Sequence, residues 1–284
     1  MSGIAVVTDS TAFIPARLVE EFKITVAPQI LIWGDQTYND GVDIQPDEFY
    51  TRLRTASVMP TTSQVSVVTM QSIFEQLIAE GKEVLGIFIS GKFSGTMQSA
   101  IQGRDALGAA SSKVTLVDSQ ASAMALGFQA LAVARAARDG ASMAEVRELA
   151  EKSKNHIGVY FAVDTLEFLH RGGRIGGAQR FIGSALNLKP ILALRDGRIE
   201  AEDRVRTKSK ALDRVLDLVT KDVQGKANIR LATVHANAEA EAARLLERAS
   251  KQVGAIESVL ASLSPVVGAH TGPGTVGLAF MAGM

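Results

Sequence analysis

The chain has 284 residues, with 30 Lys plus Arg against 30 Asp plus Glu, so its formal net charge is zero. That balance argues against a nucleic-acid binder that works through bulk positive charge, while leaving a local basic patch open. Cysteine is absent, which excludes disulfides, zinc–thiolate sites, iron–sulfur clusters and thiol nucleophiles together and fits a reducing compartment.

The N-terminus has no basic segment, and its apolar run is too short for a signal peptide. No stretch approaches the roughly 18 apolar residues a membrane helix requires. A soluble, cytoplasmic protein is the expectation. Ile4 to Thr8 reads as a buried strand that ends at Asp9-Ser10-Thr11. Pro15 opens a helix through Phe22, as Pro favours the first helical position. Ile24 to Trp33 reads as one strand, Gly34 to Gly41 as a polar turn, and Pro46 to Arg54 as a helix. Thr55 to Ser66, rich in Ser, Thr and Pro, reads as loop. Ser66 caps a helix whose apolar stripe is Met70, Ile73, Phe74, Leu77 and Ile78. Val84 to Ile89 is a strand, followed by Ser90 to Thr96 and the start of a helix. Val114 to Val117 is a strand ending at Asp118-Ser119, with helices over 122–138 and 142–154.

Strands alternating with helices predict a parallel sheet with helices on both faces, and ligands in such sheets bind beyond the C-terminal strand ends. Three of those ends carry hydroxyl-rich turns: Asp9-Ser10-Thr11, Ser90 to Thr96, and Asp118-Ser119. The second half differs. Val159 to Val163 is a strand, Thr165 to His170 a short helix, and 171–177 a glycine-dense loop. Asp196-Gly197 between two strands predicts a hairpin. A helix through Val223, a strand over 231–235, a helix over 238–253 and a strand over 256–263 follow. A loop bearing His270 and a last strand over 276–281 close the chain. The fold class expected is α/β in two domains. Residues 1–155 form a three-layer α/β/α domain with a parallel sheet, and 156–284 a two-layer α/β domain with a mixed sheet.

Several motifs invite chemistry. Gly86 to Phe93 almost fits a P-loop, but Phe93 stands where a Ser or Thr must hold magnesium, and Gly86 falls inside a strand. The glycines from Gly172 lack the strand-then-helix context of a dinucleotide site, yet a plain turn does not explain Arg171 and Arg174 beside them. Ser94, His270 and Asp9 or Asp118 supply the residue types of a serine hydrolase without its Gly-x-Ser-x-Gly elbow. The bland reading of Ser94 is a helix cap. His156, His170 and His235 read as structural, and no His or carboxylate spacing supports a metal site. Asp40 and Asp43 fit a turn. What remains is a set of neutral donors on separate loops: Thr61, Thr62, Ser63 and Gln64; Ser94 with the Gly95 and Thr96 amides; and His270. Such donors can hold a carboxylate without a full counter-charge.

Short motifs in a fixed order carry a resemblance. They are Val-Thr-Asp-Ser (7–10), Asp-Gly-Val-Asp (40–43), Thr-Ser-Gln-Val-Ser (62–66), Ser-Gly-Lys-Phe-Ser-Gly-Thr (90–96), Val-Asp-Ser (117–119), Leu-Glu-Phe-Leu-His-Arg-Gly-Gly-Arg-Ile (166–175), Leu-Lys-Pro-Ile-Leu (188–192) and His-Thr-Gly-Pro-Gly (270–274). With these the chain resembles the DegV family along essentially its whole length, including fatty-acid-binding subunits of the bacterial fatty acid kinase. One departure is Val65, where the family usually has Pro.

The resemblance implies one long-chain fatty acid buried between two domains. Thr62 and Ser94 would bond its carboxylate, the Gly95 amide would lie beside them, and His270 would face the same head group. Arg174 and Arg206 would lie near the head-group opening or a kinase-docking surface. Together with Arg171 they are expected to matter more for docking than for lipid binding. The resemblance further implies no cofactor beyond the bound lipid, no metal and no catalytic residue of this chain's own. An ATP-dependent kinase partner would make an acyl phosphate for phospholipid metabolism, with transient membrane contact left open. Two alternatives stay beside it: a hydrolase of lipid esters using Ser94 and His270, and a ketone carrier binding dihydroxyacetone covalently through His270.

Overall fold

The computed structural model describes residues 3–183 and 188–284. The N-terminal part begins with β1 (Ile4–Asp9), α1 (Ala16–Phe22), β2 (Thr25–Ala27), β3 (Ile30–Trp33), β4 (Gln36–Asn39), α2 (Pro46–Leu53), β5 (Thr61–Ser63) and α3 (Val67–Ala79). It continues through β6 (Glu83–Phe88), α4 (Thr96–Asp105), β7 (Val114–Asp118), α5 (Ala123–Arg138) and α6 (Met143–Ser153). The C-terminal part runs β8 (Ile157–Ala162), α7 (Glu167–Arg171), β9 (Lys189–Arg195), β10 (Arg198–Val205), α8 (Lys208–Val223) and β11 (Arg230–His235). It ends with α9 (Glu239–Val253), β12 (Glu257–Ser262), α10 (Pro265–Thr271) and β13 (Val276–Met281).

Four strands form a parallel sheet in the order β2-β1-β6-β7. Alternation along its strands serves two cores. Ala5, Val7, Val84 and Phe88 face α3 and α4, where Met70, Phe74 and Ala100 pack. Val6, Leu85 and Ile87 face the other way, toward α5. This is the α/β/α layering expected of the first half.

A second sheet of six strands has the order β10-β9-β8-β13-β11-β12 and is mixed: β11 and β12 are parallel, and every other pair is antiparallel. Tyr160, Leu231, Leu278 and Phe280 point to α8 and α9. Their neighbours Val159, Phe161, Val234 and Ala279 point to the opposite face, in one core cluster with α5. Helix α5 therefore lies between the two sheets. Its composition follows: Ala125, Ala130 and Ala134 keep it thin enough to be approached from both sides, and Gly127 lies against the Ala12 carbonyl. The hairpin joining β9 to β10 turns through Asp196 (φ 48°) and Gly197 (φ 73°), the paired left-handed residues of a tight hairpin.

Four sequence expectations are corrected. The single strand over 24–33 is two strands in different sheets, because Pro28 has no N–H to continue a ladder. The turn 34–41 and the loop 55–66 each contain a strand. β4 and β5 flank β3 in a three-stranded antiparallel sheet whose polar edges, Gln36–Asn39 and Thr61–Ser63, hid it from an apolar-period search. His270 lies in the last turn of helix α10 and not in a loop. A smaller shift is that Pro15 caps α1 from outside its first turn.

Candidate functional site

The loops after β1 and β6 meet at the C-terminal end of the parallel sheet. Asp9, fully buried, ties them together: one carboxylate oxygen accepts from the Thr11 N–H at 3.0 Å and hydroxyl at 2.6 Å, the other from the Ile89 N–H at 2.8 Å. Burial pushes its carboxyl above the usual range, and those bonds pull it back. The β6 loop carries Ser94. Its hydroxyl accepts from the Thr96 N–H at 3.2 Å, lies 2.8 Å from Thr96 Oγ1 and makes a long 3.5 Å contact to Gln29 Oε1. The expected cap role is not its own: the cap position of α4 is Gly95, without a side-chain cap bond, and Ser94 holds the Thr96 amide from one position earlier while lining the cavity wall.

The opposite wall is built from far along the chain. Thr62, on β5, lies 2.7 Å from His270 Nε2 across 208 positions. Burial lowers the His270 imidazole from 6.5 to about 4, and the Arg174 guanidinium adds to the shift, so the ring is neutral at pH 7. Among the described residues its Nδ1 has no partner. A buried N–H left unpaired costs more than an unpaired lone pair, so the favoured tautomer carries its proton on Nε2 and donates it to Thr62. The Thr62 hydroxyl hydrogen is then free to serve a ligand. Gly172 explains the close fit, since a Cβ there would overlap His270 Nδ1. The Gly-Gly between Arg171 and Arg174 is therefore a seat for this ring as well as a turn. Arg174 donates to the Phe93 carbonyl at 3.2 Å and the Gly172 carbonyl at 2.7 Å.

Between these walls lies a cavity with about 900 Å³ of space empty of protein atoms, its mouth included. The centre of a water molecule reaches about 120 Å³ of it, so the space is narrow. Its apolar lining comes from both sheets and from α10: Ile89, Val159, Phe161, Val234, Leu263 and Val266. Leu194 and Ile199 add the β9–β10 hairpin. Polar residues gather in the same wall: Thr62, Ser94, Arg174 and His270, with Gln29, Ser63 and Gln64.

Thr62, Ser94 and His270 are thus brought to one cavity. Gly95 lies next to Ser94 but is exposed and outside the lining, packed with its Cα side toward Gln64. Arg174 is in the cavity wall beside His270, the head-group side of the two placements expected for it. Arg206 is exposed beyond β10 and outside the lining, and Arg171 is exposed and paired with Glu167 at 2.6 Å. Ser94, His270, Asp9 and Asp118 do not assemble the arrangement of a hydrolytic triad. His270 bonds Thr62 and not Ser94, its Nδ1 meets no carboxylate, and Asp9 and Asp118 spend their oxygens on backbone amides and Thr11. A covalent ketone adduct fares no better, because one ring nitrogen is bonded to Thr62 and the other is crowded by Gly172. Among the described residues no cluster of His and carboxylates could hold a metal ion, and no helix is long and apolar enough to cross a membrane.

A family model described as the uncharacterised DegV family matches residues 3–283. The chain belongs to the DegV family. Protein DegV of Bacillus subtilis is 36% identical over 283 residues, covering 97% of this chain and 98% of that one. A DegV domain-containing protein of Streptomyces coelicolor is 38% identical over 277 residues, covering 97% of each. Among solved structures, a DegV family protein from Thermus thermophilus, described by its fatty acid binding, superposes with a TM-score of 0.93 at 35% identity and covers 99% of both chains. The Bacillus subtilis DegV crystal structure, described as a fatty acid binding protein, gives 0.90 at 32% identity, covering 99% of this chain and 100% of that one.

Two site residues escape a sequence reading. Gln29 is buried in the cavity wall between two strands read as one. Asp40, read as a turn residue, is buried and bonded to the N-terminus of α10 at 3.1 Å. Its only signal was an Asp-Gly-Val-Asp run whose second acid, Asp43, does make the expected turn contact to the Asn39 N–H at 2.7 Å.

Proposed function

We propose that this chain carries one long-chain fatty acid and presents its carboxyl group to a separate ATP-dependent kinase, which converts it to an acyl phosphate. The observation that carries the reading is a narrow apolar cavity ending at Thr62, Ser94 and a neutral His270, in a chain whose 35%-identical relative is described by its fatty acid binding. Burying a 16-carbon chain contributes on the order of 10 kcal/mol at about 0.8 kcal/mol per methylene. Ordering the chain offsets much of that. The carboxylate needs hydrogen bonds to avoid a desolvation cost of about several kcal/mol. Hydroxyl donors meet this need without the firm ion pair that would quench an oxygen nucleophile. In the transfer, a carboxylate oxygen bonds to the γ-phosphorus of ATP, the bridge to the β-phosphate breaks, and ADP leaves with that electron pair. ATP and magnesium come from the partner, in keeping with a Gly86 that lies within β6 and a Phe93 where a P-loop needs a hydroxyl.

The test supplies protein loaded with [1-¹³C]palmitate to a bacterial extract with ATP and traps acyl phosphate with hydroxylamine. The expected product is the labelled hydroxamate, dependent on this protein. Labelled lipid that stays bound and unconverted, in an extract that phosphorylates other DegV-bound lipid, overturns the kinase half of the reading.

A further inference from the structure

Asp40 sits where three distant segments meet. It is 1% exposed. Its Oδ1 accepts from the Val266 N–H at 3.1 Å, in the first turn of α10 and 226 positions away. Ser264, at the cap position of that helix, makes no capping bond, so Asp40 performs the cap from another part of the fold. Its Oδ2 accepts from the Ser10 hydroxyl at 2.6 Å, and that hydroxyl accepts from the Gln29 N–H at 3.1 Å. The Asp40 N–H bonds the Gln29 carbonyl at 2.9 Å. One carboxylate therefore joins α10, which carries His270, to the segment that carries Gln29, the neighbour of Ser94.

We propose that Asp40 is the positioning residue of the head-group site: it fixes α10, and with it His270, against the segment that carries Gln29 beside Ser94. This rests on the head-group reading above. Asp40 differs from a general core residue on two physical grounds. An apolar residue would fill the volume without joining the segments, and burial of a carboxylate at this depth is unfavourable without a compensating gain. Burial does push the Asp40 carboxyl upward, with the Ser10 and Val266 bonds opposing it.

The test uses Asp40→Ala and Asp40→Asn in the full chain, with Val219→Ala on α8 as a control for destabilisation away from the site. The first readout is the protected Nε2–H resonance of His270 in lipid-free protein, with exposed His170 as internal reference. The second is the carboxyl ¹³C resonance of bound [1-¹³C]palmitate. Asp40→Ala is expected to lose the His270 resonance and to move or broaden the carboxyl signal while palmitate stays bound. Asp40→Asn, which keeps an acceptor for Val266, is expected to retain the His270 resonance, and Val219→Ala to leave both signals in place. A His270 resonance unchanged in Asp40→Ala, or lost equally in Val219→Ala, overturns the proposal. If Asp40→Ala does not fold, Ser10→Ala tests the second arm alone: a shifted carboxyl signal supports the proposal and an unchanged one overturns it. If wild-type protein takes up no palmitate, the lipid reading fails, while the His270 signal in lipid-free protein still decides the role of Asp40.

Discussion

Ser94 and His270 reach the same cavity by different kinds of support. Ser94 is held by its own neighbours: the Thr96 amide and hydroxyl lie two positions on, at the start of a helix that follows a buried parallel strand. His270 is held directly by Thr62, 208 positions away, and through Asp40, whose bond to Val266 at the base of its helix spans 226 positions. Local support forms with the strand-to-helix turn and survives changes elsewhere. Distant support exists only when the two parts of the chain are docked. The Ser94 wall is thus a property of the first sheet, and the His270 wall a property of the assembled molecule.

The largest expected effect removes one hydroxyl from each wall. Each hydrogen bond to a charged group contributes about 1.5–3 kcal/mol, so Thr62→Ala with Ser94→Ala should lower acyl phosphate formation by about two orders of magnitude or more. Lipid retention, which rests on the acyl chain, should fall far less. Trapped hydroxamate and retained palmitate measure the two losses on one sample, and normal turnover in the double variant would remove both residues from the head-group site.

The next effect belongs to His270 alone. With its folded-state value near 4 against 6.5, the folded protein binds fewer protons than the unfolded chain between those pH values. Its contribution is complete above 6.5 and is lost as pH falls toward 4, by about 3 kcal/mol. Denaturant unfolding of wild type and His270→Gln at pH 7 and pH 4 should narrow the difference between them by that amount. Asp9 and Asp40 shift the other way, but they are common to both proteins and cancel.

Gly172→Ala sharpens the comparison further. Its methyl group would overlap His270 Nδ1, so it should cost about 2 kcal/mol by overpacking and disturb only the His270 wall. A carboxyl resonance of bound palmitate that moves in this variant, with Ser94 amide signals unmoved, is the expected pattern. The smallest effect is Arg206→Glu. The residue is exposed and outside the cavity, so stability should stay within about 0.5 kcal/mol and palmitate uptake should be unchanged. Any change should appear as a raised apparent Michaelis constant for the kinase, measured by varying the loaded protein.

The same division of support explains what could be read in advance. The parallel sheet was legible because Ile4–Asp9, Glu83–Phe88 and Val114–Asp118 are compact apolar runs with polar stops. The capping of α3 by Ser66 and of α6 by the Ser142–Glu145 box was equally local. The hairpin at Asp196-Gly197 announced itself through the two residues that tolerate positive φ. Thr62 was legible as a hydroxyl but not as a strand residue, since β5 is three polar residues held in place by β3. Asp40 was misread because nothing near it in sequence requires a buried acid: its partner is Val266. The seat of His270 on Gly172 is likewise a contact between segments, invisible to any periodicity.

Both walls take their proposed role from one long-chain fatty acid held in the cavity. Native mass spectrometry of the purified protein, followed by denaturing extraction and lipid identification, tests it most directly. The expected result is a mass excess equal to one long-chain fatty acid, and the same acid in the extract. Protein that is purified empty and takes up neither palmitate nor oleate when they are added would contradict it.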